Sequence, residues 1–397
     1  MNLLLKLIIG IAAGLLAGAF APEWVARILL TIQEFVGQLI GFTIPLIILL
    51  YIASGIGALP RQSGKLLGHT VGLAYGSTVI AGTIAFLVAS QLLPGLVSPH
   101  ALPDAERATQ IGPYLQIAVP PPLGIMTALV LAFVLGIGMS AIQSKQLSVV
   151  IEEGRSIVDL LLSKVIIPAL PFYIAGVFTH MMLEGSAVST LKTFAVVLLL
   201  AVAMHWLWLT SLYLVTGIIH KKPPIVLLKN MLPAYFTALG TMSSAATIAV
   251  SLQSSKNNQV KEPIANFAIP LCATIHLSGS VITIVTCTTA VMLMTPSLGE
   301  PTLANIVPFI MMLGVTLVAA PGAPGGAIMA ALGILASMLG FDEAAIALMI
   351  ALYLAQDSFG TACNVTGDGV IALWLDRWHG EATVQAASAS EAREQFL

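Results

Sequence analysis

Runs almost free of charge recur along the chain, at roughly 3–20, 29–59, 67–93, 119–142, 165–183 and 193–219. A helix crossing a bilayer needs about 20 apolar residues, so each run predicts a span, with slack for tilt or a break. Between the third and fourth lies a polar, proline-bearing stretch, 94–113, with Asp104, Glu106 and Arg107; it reads as a loop in water. Pro120-Pro121-Pro122 then leads into the fourth span, where prolines are tolerated at a helix start.

Beyond Lys221 the pattern changes. Residues 233–255 carry no charge, yet Lys221, Lys222 and Lys229 precede them and Lys256 and Lys261 follow. Positive residues favour the cytoplasm, so both ends belong on one side. One helix of this length, about 35 Å, would cross to the other side. Two short arms returning at Gly240-Thr241-Met242-Ser243-Ser244-Ala245 would not, and a re-entrant hairpin is expected. Residues 301–341 repeat the pattern with opposite sign, uncharged and flanked by Glu300 and Asp342-Glu343. Their middle, Ala320-Pro321-Gly322-Ala323-Pro324-Gly325-Gly326, is poor helix and predicts a second hairpin from the outer side. Each hairpin precedes a span with polar groups, which suggests an inverted repeat around a midplane site.

The last apolar segment, 344–376, holds Asp357, Thr361, Asn364 and Asp368. Their offsets of i, i+4, i+7 and i+11 confine them to a helical arc of about 60°. A carboxylate at the membrane centre costs roughly 2.5–3.5 kcal/mol, so two in one span call for a cation, an ammonium group or water in a polar cavity. The plainer alternative is a pair of acids satisfied by neighbouring hydroxyls.

Composition sharpens the class. The 397 residues are 58% hydrophobic and 9% charged, far from the roughly 25% charged of a soluble domain. A polytopic membrane protein is expected. Cys272, Cys287 and Cys363 fall in apolar segments, so neither a disulfide framework nor a zinc site is indicated. Residues 1–21 imitate a secretory signal but are expected to stay as a first span. With the N-terminus inside and two hairpins, only Arg27, Arg107 and Lys192 of the sixteen basic residues lie outside, which is the normal bias.

Several motifs resemble the dicarboxylate/amino acid:cation symporters, the glutamate and neutral amino acid transporter family. Ser243-Ser244-Ala245-Ala246-Thr247 is similar to the tip of that family's first hairpin, and Ala323-Pro324-Gly325-Gly326-Ala327 to the tip of its second. Asn364-Val365-Thr366-Gly367-Asp368 matches its final-helix motif letter for letter. Ala273-Thr274-Ile275-His276-Leu277-Ser278-Gly279 stands where the family usually has Asn-Met-Asp-Gly. The resemblance implies an all-α polytopic protein of eight transmembrane helices plus two opposed re-entrant hairpins. It implies a homotrimer working as an elevator, in the cell's inner (plasma) membrane, with both termini cytoplasmic. Scaffold helices 1–2 would occupy 1–66, transport-domain helix 3 67–93, and a loop with scaffold helices 4–5 94–189. The rest of the transport domain would be 190–379, followed by a disordered cytoplasmic tail, 380–397.

By the same resemblance, Asp357 would bind a substrate's α-ammonium. Asn364 would donate to its α-carboxylate, helped by backbone N–H groups near Ser243 and Ser244. Ser280 and Thr361 would line the side-chain pocket, and Ala323 and Gly326 would close it. Asp368, with carbonyls of Cys272, His276 and Asn364, resembles a sodium site. The main chain near Thr274, Leu277 and 318–320 resembles a second.

Departures from the family pattern point to the substrate. Gly360 stands where members taking acidic substrates carry an arginine, and Met242 replaces an arginine sometimes found in the first hairpin. A buried, unpaired side-chain carboxylate would be costly, so a small neutral amino acid is expected, as in the sodium-coupled serine/threonine branch. His276 and Ser278 replace the asparagine and aspartate of the seventh helix, and Ala81-Gly82 align with the hydroxyl ligands of a third sodium; no third site is expected. His276 is either a proton carrier or a neutral core residue.

The expected function is therefore sodium-coupled uptake of a serine-, threonine- or alanine-like substrate. Proton-coupled or exchange transport of a small amino acid or carboxylate through His276 is the alternative, and a channel is a remote one. An enzyme using Ser243 and His276 lacks an oriented base and a nucleophile elbow. His205, between tryptophans, reads as a packed residue. Glu34, Asp159 and Glu184 read as span-end groups reaching water.

Overall fold

The computed structural model describes residues 3–57, 64–97, 111–318, 320 and 324–394, all helix, turn or coil. Helix α1 (Leu3–Phe20) lies along α6 (Ile167–Leu183). Gly10, Gly14 and Gly18 form their seam: a Cβ on Gly10 would meet the Pro171 carbonyl oxygen at 2.4 Å, and one on Gly14 that of Ala175 at 2.3 Å. Small residues at four-residue spacing let membrane helices approach to backbone contact. Helix α2 (Glu23–Gly57) packs on α4 (Ile125–Ile142), α5 (Lys145–Leu161) and α6.

One expectation changes here. Helices α5 and α6 are joined by a π-helical turn, Leu162–Ile166, into a single rod over Lys145–Leu183. Asp159 therefore lies within a continuous helix rather than ahead of one. It is half-buried and accepts a hydrogen bond from the Tyr51 hydroxyl of α2, while Ser54 Oγ donates to Glu152 Oε2 at 2.6 Å. The fifth apolar run alone hid this, because charged residues precede it in sequence but face a polar partner in space.

The remaining elements are α3 (Gly64–Leu92), α7 (Ala187–His220), α8 (Pro224–Thr241), α9 (Ser244–Asn257), α10 (Glu262–Ile275), α11 (Ser278–Met294), α12 (Leu303–Leu317), α13 (Gly326–Leu339), α14 (Glu343–Leu354) and α15 (Asp357–Glu394). Helices α8 and α9 pack on each other across a turn at Met242-Ser243, inside the stretch expected to turn. Met242 takes a left-handed φ of 51° and Ser243 caps α9, its Oγ accepting from Ala246 N at 3.3 Å. Helices α12 and α13 form a second packed pair. A capping box at Thr302 and Asn305 starts α12 and an Asp342 cap starts α14. Ala323 and most of that pair's tip lie outside the described residues.

Among the described residues, five helical rods are long and apolar enough to cross a membrane, or six if the bent pair α14–α15 is one span. That pair turns by 60° at Ala355-Gln356. Helices α10 and α11 break at His276-Leu277. The interruptions matter more than the spans, because backbone left unpaired at membrane depth is tolerated only in protein or at a wet cavity. Polar clips hold the ends: Lys256 Nζ reaches Glu262 Oε1 at 2.6 Å, and Lys261 N donates to Asp376 Oδ1 at 3.0 Å. Two further readings are corrected. The proline run 120–122 precedes α4 rather than starting it, and α15 runs on to Glu394 through the stretch expected to be disordered. No glycine or proline follows Gly380, and alanines at 382, 386, 387, 389 and 392 are the strongest helix formers.

Candidate functional site

Four helix interruptions converge: the α8–α9 turn, the α10–α11 break, the start of α13 and the α14–α15 bend. They enclose a cavity of about 20 Å³ lined by Ser244, Thr274, Leu277, Ser280, Asp357, Thr361 and Asn364, with Met242, Ala273, Ala320, Ala327 and Tyr353 completing the wall. That is room for about one water molecule.

Asp357 opens α15 and is buried. Its Oδ2 accepts from Gly325 N at 2.7 Å, and its Oδ1 from the Tyr353 hydroxyl at 2.8 Å, with Thr361 Oγ1 at 3.5 Å. Gly325 donates from a left-handed conformation, φ 78°, that favours glycine and aims its N–H at the acid. Two turns on, Asn364 Oδ1 accepts from Gly279 N at 2.7 Å and Ser280 N at 3.2 Å, the N–H groups that open α11. Its amide then donates to Ser280 Oγ at 2.9 Å, which leaves the second N–H of that NH2 group for a ligand.

Helices α11 and α15 nearly touch here. A Cβ on Gly279 would meet the Gly360 carbonyl oxygen at 2.3 Å. Gly360 is thus a packing position, and a Cβ on it would stand 3.2 Å from Thr283 Oγ1. Gly360→Arg is expected to lower the melting temperature, because it places a guanidinium at a buried position against Thr283 and the α11 backbone. It should let aspartate compete with labelled serine. Intact serine binding with no competition by aspartate would show that the position does not set selectivity.

Not every expected residue reaches the chamber. Ser243 caps α9 instead of lining it. Gly326 opens α13 and faces a separate cavity of about 450 Å³, beside Ser156, Asp159 and Ser163 of the α5–α6 rod. The Cys272 carbonyl accepts the His276 N–H at 2.9 Å in the last turn of α10. Asp368 lies three turns along α15 from Asp357, where its Oδ1 meets His276 Nδ1 at 2.8 Å. His276 Nε2 in turn meets Ser77 Oγ of α3 at 2.9 Å, and all these side chains but Ser77's are fully buried. Ser77, not Ala81-Gly82, faces the α10–α11 break, while Gly82 packs against Val281 and Ile310.

Tyr353 was missed. Flanked by Leu352 and Leu354, it reads as one more apolar helix residue; only its position four before Asp357 marks it. His205 is buried as expected of a packed residue, 2.9 Å from the Gly279 carbonyl oxygen and 3.1 Å from Thr283 Oγ1.

The sequence profile of the sodium:dicarboxylate symporter family matches residues 3–378. The chain belongs to that family. Its members are transporters, not enzymes, and this symporter-family chain is a multi-pass membrane protein. It is 27% identical to the serine/threonine transporter SstT of Enterococcus faecalis over 93% of this chain and 90% of that protein. It is 29% identical to human excitatory amino acid transporter 5, over 51% of this chain and 35% of that one. To human neutral amino acid transporter B(0) it is 27% identical over 53% of this chain and 39% of the relative. The matches thus span little more than a third of the human proteins' length, and nearly all of the bacterial one.

Proposed function

We propose that the protein is a secondary active symporter that couples inward sodium movement to uptake of a small neutral amino acid, serine, threonine or alanine in kind. The observation that carries this is the chamber itself: a buried acid, Asp357, and a donor amide, Asn364, on one helix face, with no basic side chain among the described residues that line it. A zwitterion matches that pair, ammonium to carboxylate and carboxylate to amide and to the N–H groups opening α9. A side-chain carboxylate has no counter-charge there, so acidic substrates are disfavoured.

Ser244, Ser280 and Thr361 shape the side-chain end, and Ala323 and Gly326 belong to the gate. Asp368 serves one sodium with the carbonyls of Cys272, His276 and Asn364, hard oxygens suited to that ion. Since His276 holds Oδ1, the ion is bound through Oδ2. Thr274 and Leu277 serve a second ion when the α12–α13 pair closes. Eight spans and two opposed hairpins (α8–α9 and α12–α13) in a homotrimer, both termini cytoplasmic and the hairpin-bearing domain moving as an elevator, complete the reading. The similarity to a named serine/threonine transporter over most of both chains supports it.

A second reading couples protons instead, through the His276–Asp368 contact at 2.8 Å. Thermal stabilisation of the purified protein tests substrate and ion together. Serine with sodium is expected to raise the melting temperature, and aspartate is not. Equal stabilisation by serine in sodium-free buffer would favour the proton reading, and stabilisation by aspartate alone would overturn the substrate class.

A further inference from the structure

Tyr353 ends the last full turn of α14 and has no exposed surface. Its hydroxyl stands 2.8 Å from Asp357 Oδ1 and 3.3 Å from Ser280 Oγ. A phenol has one proton to give, and the shorter contact, to the carboxylate, takes it. The contact with Ser280 is long for an O–H···O bond, and Ser280 Oγ already receives the Asn364 amide at 2.9 Å. Tyr353 lines the chamber, and with its proton given to Asp357 its oxygen is left as an acceptor, 3.3 Å from Ser280 Oγ.

We propose that Tyr353 reads the substrate's side chain: its phenol oxygen accepts a hydrogen bond from a small hydroxyl. This rests on the reading of the chamber as an amino acid site and narrows its substrate class to hydroxylated neutral amino acids. Alanine offers no donor to that oxygen. A side-chain carboxylate offers only acceptors, and its charge is repelled by Asp357 nearby. Rejection of acidic substrates is thus built from Tyr353 as well as from the glycine at position 360. The tyrosine also fixes Asp357, so one residue links recognition of the ammonium to recognition of the side chain.

The test is competition against labelled serine, first on the wild-type protein with alanine and O-methylserine, then on Tyr353→Phe. The wild type is expected to bind alanine and O-methylserine each about tenfold more weakly than serine, since both lack the donor. Tyr353→Phe, which keeps the ring's volume, should bring serine and alanine to within about twofold of one another. Alanine binding by the variant reports that its site is still formed. Wild-type protein that ranks O-methylserine and alanine level with serine would overturn the role of Tyr353, as would an unchanged serine-to-alanine ratio in the variant. Those outcomes leave the amino acid site standing. Wild-type protein that binds no amino acid would overturn both.

Discussion

Asp357→Ala is expected to weaken amino acid binding by about 2–5 kcal/mol, on the order of a hundredfold or more in affinity. The carboxylate is the one acid among the described residues that line the chamber, and its partners there are neutral donors: Gly325 N–H, the Tyr353 hydroxyl and, at longer range, Thr361. An arriving ammonium therefore finds a negative charge stabilised by dipoles but not neutralised. Removing it leaves a buried cation unpaired in the complex, which is among the costliest arrangements in a low-dielectric interior. Asp357→Asn separates two roles. The amide keeps an oxygen for Gly325 and so keeps the α13 tip in place, but it carries no charge. Loss of serine binding in both variants, read by competition or thermal shift, is the expected result. Wild-type affinity in the asparagine variant would mean that Asp357 holds the tip and does not meet the ammonium.

The second large effect is at Asp368. Asp368→Asn should raise the sodium concentration needed for half-maximal serine stabilisation at least about tenfold, while leaving the preference for serine over aspartate unchanged. The reason is position. Asp368 lies eleven residues after Asp357 on the same helix face, and it contacts His276 rather than the chamber. A neutral amide keeps the volume and one oxygen but withdraws the charge that a sodium ion requires. An unaltered sodium titration would remove Asp368 from the ion site and leave the His276–Asp368 pair as a structural contact between α10 and α15.

Much of this architecture was legible before any coordinates, for physical reasons that differ from element to element. Lysines on both sides of the uncharged stretch 233–255 demand a return to the same side, and the α8–α9 turn falls at Met242-Ser243. Helical periodicity placed Asp357, Thr361 and Asn364 on one face, and all three line one cavity. Other features leave no periodic trace. Helix α3 is apolar over most of its surface, so nothing in its pattern chooses between Ser77 and Ala81-Gly82 as the turn facing His276; only packing against the α10–α11 break does. The α5–α6 rod was hidden because Glu152, Arg155 and Asp159 look like a polar loop until Tyr51 and Ser54 of α2 meet them. Tyr353 was invisible for the converse reason, being a polar hydroxyl on a residue that counts as apolar.

The helix interruptions explain why these particular misses cluster near the chamber. A continuous helix satisfies its own backbone, so its residues can be judged by face and period. At the start of α11 the Gly279 and Ser280 N–H groups turn to Asn364, and at the start of α13 the Gly325 N–H turns to Asp357. Those contacts join residues 32 and about 85 positions apart, and no local pattern encodes them.

Uptake of labelled serine by the protein reconstituted in liposomes tests the coupling and the chamber at once. An inward sodium gradient is expected to drive accumulation above equilibrium, in competition with threonine and not with aspartate. Accumulation driven by a proton gradient alone, or the appearance of single-channel currents in place of saturable uptake, would contradict it.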